Sequence, residues 1–364
     1  MPSAPPDPRV FREHLFADLR PFAQCHAPTL VELGGGRLLA AWFGGTYEGH
    51  RDVAIWAAER TAPLERSAAA GPGQERPSPP PGSGWSTPRR IARAGSRPHW
   101  NPVLFAIAED DLVLHFKVGE RIRSWQTWTQ RSRDGGRTWE APAPLAPGDR
   151  GGRGPVKNKP IRLPSGVWLA GASTEGRRRW QAFVDRSPDG LGPWEASAPI
   201  PVDRSHFAGK GLIQPALWAS TGTSVHALLR STAGRIYRSD SDDAGRTWST
   251  ARPTELPNNN SGLDVVRTRD GILALACNPV GGNWGARSPL SLFFSHDDGA
   301  SWSDRIDVET EPGEFSYPAL IELDPGLGLA YTWNRRRIAF AFLPRASIPG
   351  APTRQKPRTE ETTR

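Results

Sequence analysis

Short runs of apolar residues, separated by polar turns, recur along the whole chain. They are rich in β-branched and aromatic residues and are bounded by glycine, proline or asparagine, as in RLLAAWFGG, VWLAGAST, VHALLRST and ILALACNP. Short runs of this kind between turn residues are typical of β-strands. No segment shows the sustained helical spacing of apolar residues, with caps, that a helix requires. The pattern therefore predicts an all-β protein.

Five tryptophans mark a regular repeat within this pattern. Most of them close a polar, glycine-containing turn, as in SRDGGRTWE, SDDAGRTWS and SHDDGASWS. Successive steps of 54, 55, 54 and 54 residues separate Trp85, Trp139, Trp194, Trp248 and Trp302. A period of about fifty residues indicates a β-propeller, because a four-stranded blade buries its faces only against neighbouring blades.

A second motif lies upstream of each of the five tryptophans and occurs once more after the last one, which indicates the number of blades. A polar residue there precedes a β-rich run, which we interpret as the innermost strand of a blade. The runs occupy residues 25–33, 100–108, 158–166, 213–220, 258–266 and 315–323. The sequence therefore predicts six four-stranded antiparallel blades, and the starts of the inner strands are the expected ligand site.

The remaining segments set the expected domain boundaries. One propeller domain is predicted over residues 10–344, with residues 10–24 supplying an outer strand that closes the ring with the last blade. Residues 61–84 are rich in proline and glycine and are expected to be a loop inserted in the first blade. Residues 1–9 and the polar tail 345–364 are expected to be disordered.

Composition narrows the class of protein. The 15 tryptophans argue for a folded core, and the net charge of +8 comes from scattered basic residues rather than a nucleic-acid-binding arm. An acidic small substrate is a second explanation for the charge. No 18-residue apolar run and no signal peptide is visible, so we expect a cytoplasmic protein without membrane contact. Cys25 and Cys277 are expected to be buried free thiols, and neither metal nor cofactor is implied.

The repeated turn has the form Ser-x-Asp-x-Gly-x-Thr/Ser-Trp. Asp and Ser side chains can hydrogen-bond turn backbone, Gly supplies a positive φ, and Trp buries its ring while its N–H finds an acceptor. We expect this turn to join the third and fourth strands of a blade. Copies spaced evenly around a ring cannot all face one site, so Asp134, Asp243 and Asp297 are predicted to be structural.

This turn is an Asp-box, and the chain resembles the sialidase (neuraminidase) superfamily from about residue 20 to residue 344. The stretches HAPTLVEL, AWFGGTYEG and DVAIW are similar to bacterial sialidase-like BNR-repeat proteins. The resemblance implies a sialidase-like six-bladed β-propeller that binds a carbohydrate. It implies an exo-acting glycoside hydrolase for an acidic, carboxylated sugar, of which sialic acid is one.

The resemblance also implies roles for individual residues. Sialidases bind the sugar carboxylate with three arginines; Arg230 and Arg287 match the second and third, while His26 takes the place of the first. Asp52 matches the acid and Tyr317 the nucleophile. A neutral tyrosine suits a sugar whose anomeric carbon carries a carboxylate, because an anionic nucleophile would be repelled.

One position departs from the family's catalytic set. Gln214 stands where the family has the glutamate that activates the tyrosine, and an amide cannot act as a base. Carboxylates that could substitute are Glu48, Asp264 and Glu314, and Glu48 is also a rival of Asp52 as the acid. Asn101, Lys159 and Asn260 lie at inner-strand starts and are expected to contact substrate.

Two other functions are compatible with the same residues. A polysaccharide lyase would use His26 and Tyr317 to move protons beside a uronate carboxylate neutralised by Arg or Lys159. A non-catalytic sugar-binding propeller would need only the polar channel. The sequence leaves the sugar, its linkage, the stereochemical outcome and the oligomeric state open.

Overall fold

The computed structural model describes residues 5–18, 20–62, 64, 84–146, 148–149 and 152–352. Over these ranges the chain forms six antiparallel sheets of four strands each, and the only helices are single 3-10 turns at Gly34–Gly36, Ile122–Ser124 and Arg345–Ser347. The predicted six-bladed, all-β propeller is confirmed. No helix in the described ranges is long and apolar enough to cross a membrane.

The first three blades follow one another in chain order after a single outer strand. That strand is β1 (Phe11–His14). Blade 1 contains β2 (Gln24–Glu32), β3 (Leu38–Gly45), β4 (Ala54–Arg60) and β5 (Arg89–Ala92). Blade 2 contains β6 (His99–Ala108), β7 (Asp111–Val118), β8 (Gln126–Ser132) and β9 (Ala143–Pro144). Blade 3 contains β10 (Ile161–Arg162), β11 (Trp168–Glu175), β12 (Trp180–Ser187) and β13 (Glu195–Ala196).

The other three blades complete the ring. Blade 4 contains β14 (Leu212–Ala219), β15 (Val225–Ser231), β16 (Arg235–Ser241) and β17 (Arg252–Pro257). Blade 5 contains β18 (Asp264–Arg267), β19 (Leu273–Cys277), β20 (Leu290–Ser295) and β21 (Ser303–Glu309). Blade 6 contains β22 (Phe315–Leu323), β23 (Gly326–Trp333) and β24 (Arg337–Pro344), and its outer strand is β1.

The chain closes the ring by pairing its first strand with its last. β1 is antiparallel to β24, with Phe11 opposite Phe342 and His14 opposite Ala339. This is the closure expected for residues 10–24. At the other end of the domain, Ile348 is buried against blade 6. The predicted loop insertion at 61–84 and the predicted disordered ends fall largely on residues 63, 65–83, 1–4 and 353–364, which lie outside the described residues.

The hydrophobic core is divided among the contacts between neighbouring blades. Strand β3 is buried along its whole length because both faces of blade 1 are covered. One cluster joins Leu39 and Ile55 of blade 1 to Leu104 and Leu114 of blade 2, and each further pair of neighbouring blades has a cluster of its own. Cys25 and Cys277 are buried free thiols in two of these clusters, as predicted.

The Asp-box turns join the third and fourth strands of their blades, as predicted. In blade 2, the Asp134 carboxylate accepts hydrogen bonds from the Thr138 backbone N–H at 2.9 Å and from the hydroxyls of Thr138 and Ser132 at 2.6 and 2.8 Å. Gly136 has a φ of 84°, which a side chain would disfavour. Asp243 and Asp297 make the matching contacts in blades 4 and 5.

A fourth, less regular copy of the turn, SPDGLGPWE, ends in Trp194. The prediction that each Asp-box tryptophan finds a hydrogen-bond acceptor is wrong for three of these four. The Trp139 indole donates to the Gly136 carbonyl at 3.0 Å. The buried indole N–H groups of Trp194, Trp248 and Trp302 have no acceptor among the described residues. Their rings are held by packing alone, so burial of aromatic surface outweighs the unmade hydrogen bond at these turns.

Candidate functional site

The chain direction places two kinds of turn on opposite faces of the ring. Each inner strand begins on the face that also carries the loop between the second and third strands, such as residues 46–53 of blade 1. The Asp-box turns, which join the third and fourth strands, therefore lie on the other face. The face with the inner-strand starts, here called the site face, carries the functional residues proposed from the sequence.

The inner strands share a backbone distortion at the head of the site. Five residues with positive φ lie at corresponding places: Ala27 (52°), Asn101 (39°), Gln214 (55°), Asn260 (57°) and Tyr317 (55°). In four of these strands the pairing register skips at this point, as between Ile213 and Ala216. Positive φ at non-glycine residues is costly and concentrates at functional sites. The prediction for blade 1 is wrong by one residue, because Ala27, not His26, occupies the position with positive φ in that strand.

Arg230 is the central cation of the site. It lies one residue before the end of strand β15, it is buried, and its Nε donates to the Asn260 side chain at 2.7 Å. Its Nη1 donates to Gln214 Oε1 at 3.2 Å and to the Tyr317 hydroxyl at 2.8 Å. The amides of Gln214 and Asn260 therefore hold the guanidinium in place. Three residues predicted for catalysis or binding meet here around Arg230.

Two further arginines share one carboxylate beside Tyr317. Arg287 lies in the loop between β19 and β20, and its Cζ is 5.6 Å from the centre of the Tyr317 ring. Its Nη1 donates to Glu314 Oε1 at 2.7 Å. Arg335, in the turn between β23 and β24, donates from Nε to both oxygens of Glu314 at 3.0 Å and also pairs with Glu48. Glu48 is thereby joined to the site, as an ion-pair partner.

Arg335 is a site residue that was not predicted from the sequence. It belongs to the stretch NRRRIAF, a basic turn between two strands of blade 6, far along the chain from His26. It lines a small recess with His26, Tyr47 and Glu48. The sequence feature that could have indicated Arg335 is its position in the turn between the second and third strands of a blade, since such turns lie on the site face. Arg335 therefore places a positive charge beside His26.

His26, which takes the place of the first arginine of the family, lies in the site as a neutral group. Its side chain is 2% exposed and its ring centre is 4.3 Å from that of Tyr317. Burial, together with Arg335, Arg287, Arg230 and Lys157, holds the pKa of His26 well below its usual 6.5. His26 is therefore neutral at neutral pH. Its buried Nδ1 has no hydrogen-bond partner among the described residues.

Asp52, the residue assigned as acid, sits in an exposed turn of the site face. Its carboxylate accepts from the Thr46 hydroxyl at 2.6 Å and contacts His50 Nδ1 at 2.7 Å. Partial burial raises the pKa of Asp52, but the hydrogen bonds from Thr46 and His50 outweigh it and lower the pKa to about 2. In the free protein Asp52 is ionised at neutral pH, so it must lose these contacts before it can donate a proton.

Lys159 and Asn101 do not join the cluster around Arg230. Lys159 Nζ is paired with Asp264 at 2.9 Å, and Asp264 also accepts from the Leu320 backbone. The Asn101 amide donates to the Val156 carbonyl at 3.0 Å. Asn101 links blade 2 to the segment that leads into blade 3, and Lys159 joins blade 3 to Asp264 of blade 5, which in turn is bonded to blade 6.

Lys157 is a buried cation at the centre of the ring that the sequence did not reveal. Its Nζ donates to the Asn158 side chain at 2.8 Å, to the Leu263 carbonyl at 3.0 Å and to the Pro318 carbonyl. Burial lowers the pKa of Lys157 to about 7; Asp264 raises it, and Lys159 and Arg230 lower it further. Lys157 thus links blades 3, 5 and 6 beneath Tyr317.

These contacts define what the site can do chemically. Arg230 donates to the Tyr317 hydroxyl, Arg287 and the neutral His26 imidazole lie near its ring, and Arg335 is joined to Arg287 through Glu314. Such a group of guanidiniums fits recognition of an anionic ligand by forked, charge-assisted hydrogen bonds. No described carboxylate is hydrogen-bonded to the Tyr317 hydroxyl. The arrangement therefore stabilises negative charge near Tyr317 but provides no carboxylate base for it.

Comparison with known proteins supports a BNR-repeat, sialidase-like fold. The family model of the BNR repeat-like domain matches residues 36–328. A protein of unknown function from Dyadobacter fermentans has a TM-score of 0.68 and 16% identity, covering 93% of this chain and 100% of that chain. No curated protein sequence is significantly similar.

Two sialidases share the same fold at low identity. The NanB sialidase of Streptococcus pneumoniae has a TM-score of 0.67 and 14% identity, covering 91% of this chain and 69% of that chain. Trypanosoma rangeli sialidase, solved as a covalent intermediate with 2,3-difluorosialic acid, has a TM-score of 0.70 and 14% identity, covering 93% and 59%. This chain is therefore shorter than the sialidases it resembles. The resemblance to sialidase-like BNR-repeat proteins is confirmed at the level of the fold.

Proposed function

Because this chain belongs to the BNR repeat-like family, we propose that it is a sialidase-like exo-glycoside hydrolase acting on a carboxylated sugar, sialic acid included. The observation that carries the proposal is that Arg230 and Arg287 contact Tyr317 and that Arg335 is joined to Arg287 through Glu314. Guanidinium forks recognise carboxylates through paired N–H donors. The sugar carboxylate would bind between these three cations.

In the proposed first step, the Tyr317 oxygen attacks the anomeric carbon as the bond to the leaving oxygen breaks. Arg230, which already donates to this oxygen at 2.8 Å, stabilises the negative charge in place of a glutamate base. The phenolic proton passes to solvent, and Asp52, once protonated, donates a proton to the leaving oxygen. Water then attacks the glycosyl-tyrosine intermediate, which releases the sugar and restores Tyr317.

A lyase is the second candidate, and the state of His26 favours it. A neutral imidazole with an unpartnered Nδ1 next to a tyrosine is the pair that such a reaction requires. His26 would remove the proton on the carbon beside a uronate carboxylate, the electron pair would form a carbon–carbon double bond, and the glycosidic oxygen would leave with the proton from Tyr317. The product would be an unsaturated uronate.

The test compares both reactions on one set of substrates. We expect aryl glycosides of sialic acid or another acidic sugar to release the aryl alcohol, and we expect Tyr317→Phe and Arg335→Ala each to lower kcat/KM at least about tenfold. Arg133→Ala, an exposed arginine on the opposite face, is the matched control. Ultraviolet absorbance from an unsaturated product would favour the lyase. Binding of acidic sugars without any product would favour a non-catalytic propeller.

A further inference from the structure

A second cationic cleft opens on the site face beside Arg230. It lies between the loop after β7, the hairpin joining β11 to β12 and the segment that leads into blade 4, and it encloses about 430 Å³. We call it the basic cleft, and the residues used below are Arg121, Arg123, Glu175, Arg177, Trp180 and Lys210. None of them was identified from the sequence.

Trp180 connects the basic cleft with the cluster around Tyr317. The Arg230 Cζ lies 5.9 Å from the centre of a Trp180 ring, and the Lys210 Nζ lies 5.8 Å from it. The indole is thus a wall shared by Arg230 and the cleft. A ligand held at Arg230 would reach the cleft across the Trp180 side chain, and an indole face is a usual surface for a sugar ring.

The four cations of the cleft differ from two of the arginines near Tyr317. Arg287 and Arg335 are each paired with Glu314. In the part of the chain that the structure describes, no ion pair is made by any of the four cations of the cleft, which are Arg121, Arg123, Arg177 and Lys210.

Glu175 is the one acidic side chain in the cleft, and it does not balance the four cations. Burial raises the pKa of Glu175, while Arg230 and Lys210 lower it in part. One carboxyl against four cations leaves the cleft positive. A cleft lined by charge of one sign focuses its field and attracts the opposite charge.

We propose that the basic cleft binds a second anionic group of the same ligand, so that the natural substrate is a sugar with a carboxylate and a further sulfate, phosphate or carboxylate. This inference rests on the proposed function, since it takes the carboxylate to bind at Arg230, Arg287 and Arg335. Arg121, Arg123, Arg177 and Lys210 receive the second anion, and Trp180 contacts the sugar between the two anionic groups. The cleft therefore selects dianionic over monoanionic sugars.

The experiment measures binding of two probes by calorimetry at physiological ionic strength, where attraction between distant charges is screened. The probes are a uronic acid monosaccharide and the same uronic acid carrying one sulfate ester. We expect the wild-type protein to bind the sulfated probe at least about tenfold more tightly, as charge-assisted hydrogen bonds allow. The double variant Arg123→Ala/Lys210→Ala should lose this preference and keep its affinity for the unsulfated probe.

The control removes the same charge elsewhere. Arg133→Ala/Arg137→Ala takes two exposed arginines from the Asp-box face of blade 2 and should leave the preference intact. Equal binding of both probes by the wild type, or equal loss of preference in both double variants, would overturn the inference alone. Failure of the wild type to bind either probe would overturn the proposed carboxylate site, and the inference with it.

Discussion

Arg230, the cation that donates to the Tyr317 hydroxyl, is held by amides rather than by carboxylates. Gln214 and Asn260 accept from Arg230, and Arg230 in turn donates to Tyr317. An amide at position 214 leaves the full positive charge of Arg230 available to the phenol oxygen, whereas a glutamate there would neutralise part of it. The departure from the sialidase pattern at Gln214 is therefore coupled to the role of Arg230.

The charge of His26 gives a prediction at the residue scale. Because burial and four nearby cations lower its pKa, His26 should stay neutral in NMR titrations to well below pH 6.5. A carboxylated ligand should raise the pKa, since an anion offsets the arginines. His26→Gln identifies the signal by its loss. A His26 signal that titrates at or above pH 6.5 would contradict this prediction, because it would mean that burial and the nearby cations do not lower the pKa.

The same shift contributes to stability, with a definite sign. The unfolded chain binds a proton at His26 near pH 6.5 and the folded chain does so only well below that value. The unfolded state therefore binds more protons over this interval, and His26 makes the native protein less stable as the pH falls below about 6.5.

At the scale of the element, the Asp-box turn is a device for closing a hairpin. Asp134 gathers the hydroxyls of Ser132 and Thr138 and a backbone N–H, so three donors converge on one carboxylate. These hydrogen bonds lower the pKa of Asp134 to about 2, led by the one from the Thr138 hydroxyl. The turn thus depends on an ionised aspartate.

We expect Asp134→Asn to lower the free energy of unfolding by about 1 kcal/mol near neutral pH, because the carboxylate accepts charge-assisted hydrogen bonds. The difference should shrink as the pH falls from about 4 to about 2, since the native pKa lies below the unfolded value of 3.8. Urea unfolding at several pH values measures it. Glu140→Gln, in the same exposed turn, is the control. An equal loss of stability in that variant would contradict a specific role for the Asp134 carboxylate.

At the scale of the whole molecule, the ring is stabilised by contacts between blades and by Lys157 at its centre. Each pair of neighbouring blades has its own apolar cluster, so no single core spans the molecule. Lys157 joins the carbonyls of Leu263 and Pro318 to Asn158, which belong to three blades. A buried cation with all of its donors used is costly to disturb.

Lys157→Met should therefore lower the free energy of unfolding by about 3 kcal/mol, because it leaves buried carbonyls without donors. Denaturant unfolding measures the loss. Lys210→Met makes the same substitution at an exposed position and should change the free energy of unfolding little. If both variants were equally stable, Lys157 would not be a structural link between the blades.

Much of this architecture could be predicted from the sequence, since the strands and the Asp-box turns repeat at a fixed period. The period located the inner strands, and these led to Tyr317, Gln214 and Asn260. Arg335 could not be found in this way because it comes from a turn of blade 6 that folding brings beside blade 1. The neutrality of His26 and the free cations of the basic cleft depend on burial and on neighbours distant in the chain, which no local pattern contains.

The sharing of Glu314 by Arg287 and Arg335 has a consequence for how ligands come and go. Two of the three arginines of the site are already paired with the Glu314 carboxylate. A sugar acid that bound these arginines through the same donors would have to displace Glu314, so its net gain in free energy would be the difference between two similar ion pairs. On release of an anionic product, Glu314 would pair with the guanidinium groups again and they would not be left without a counter-charge.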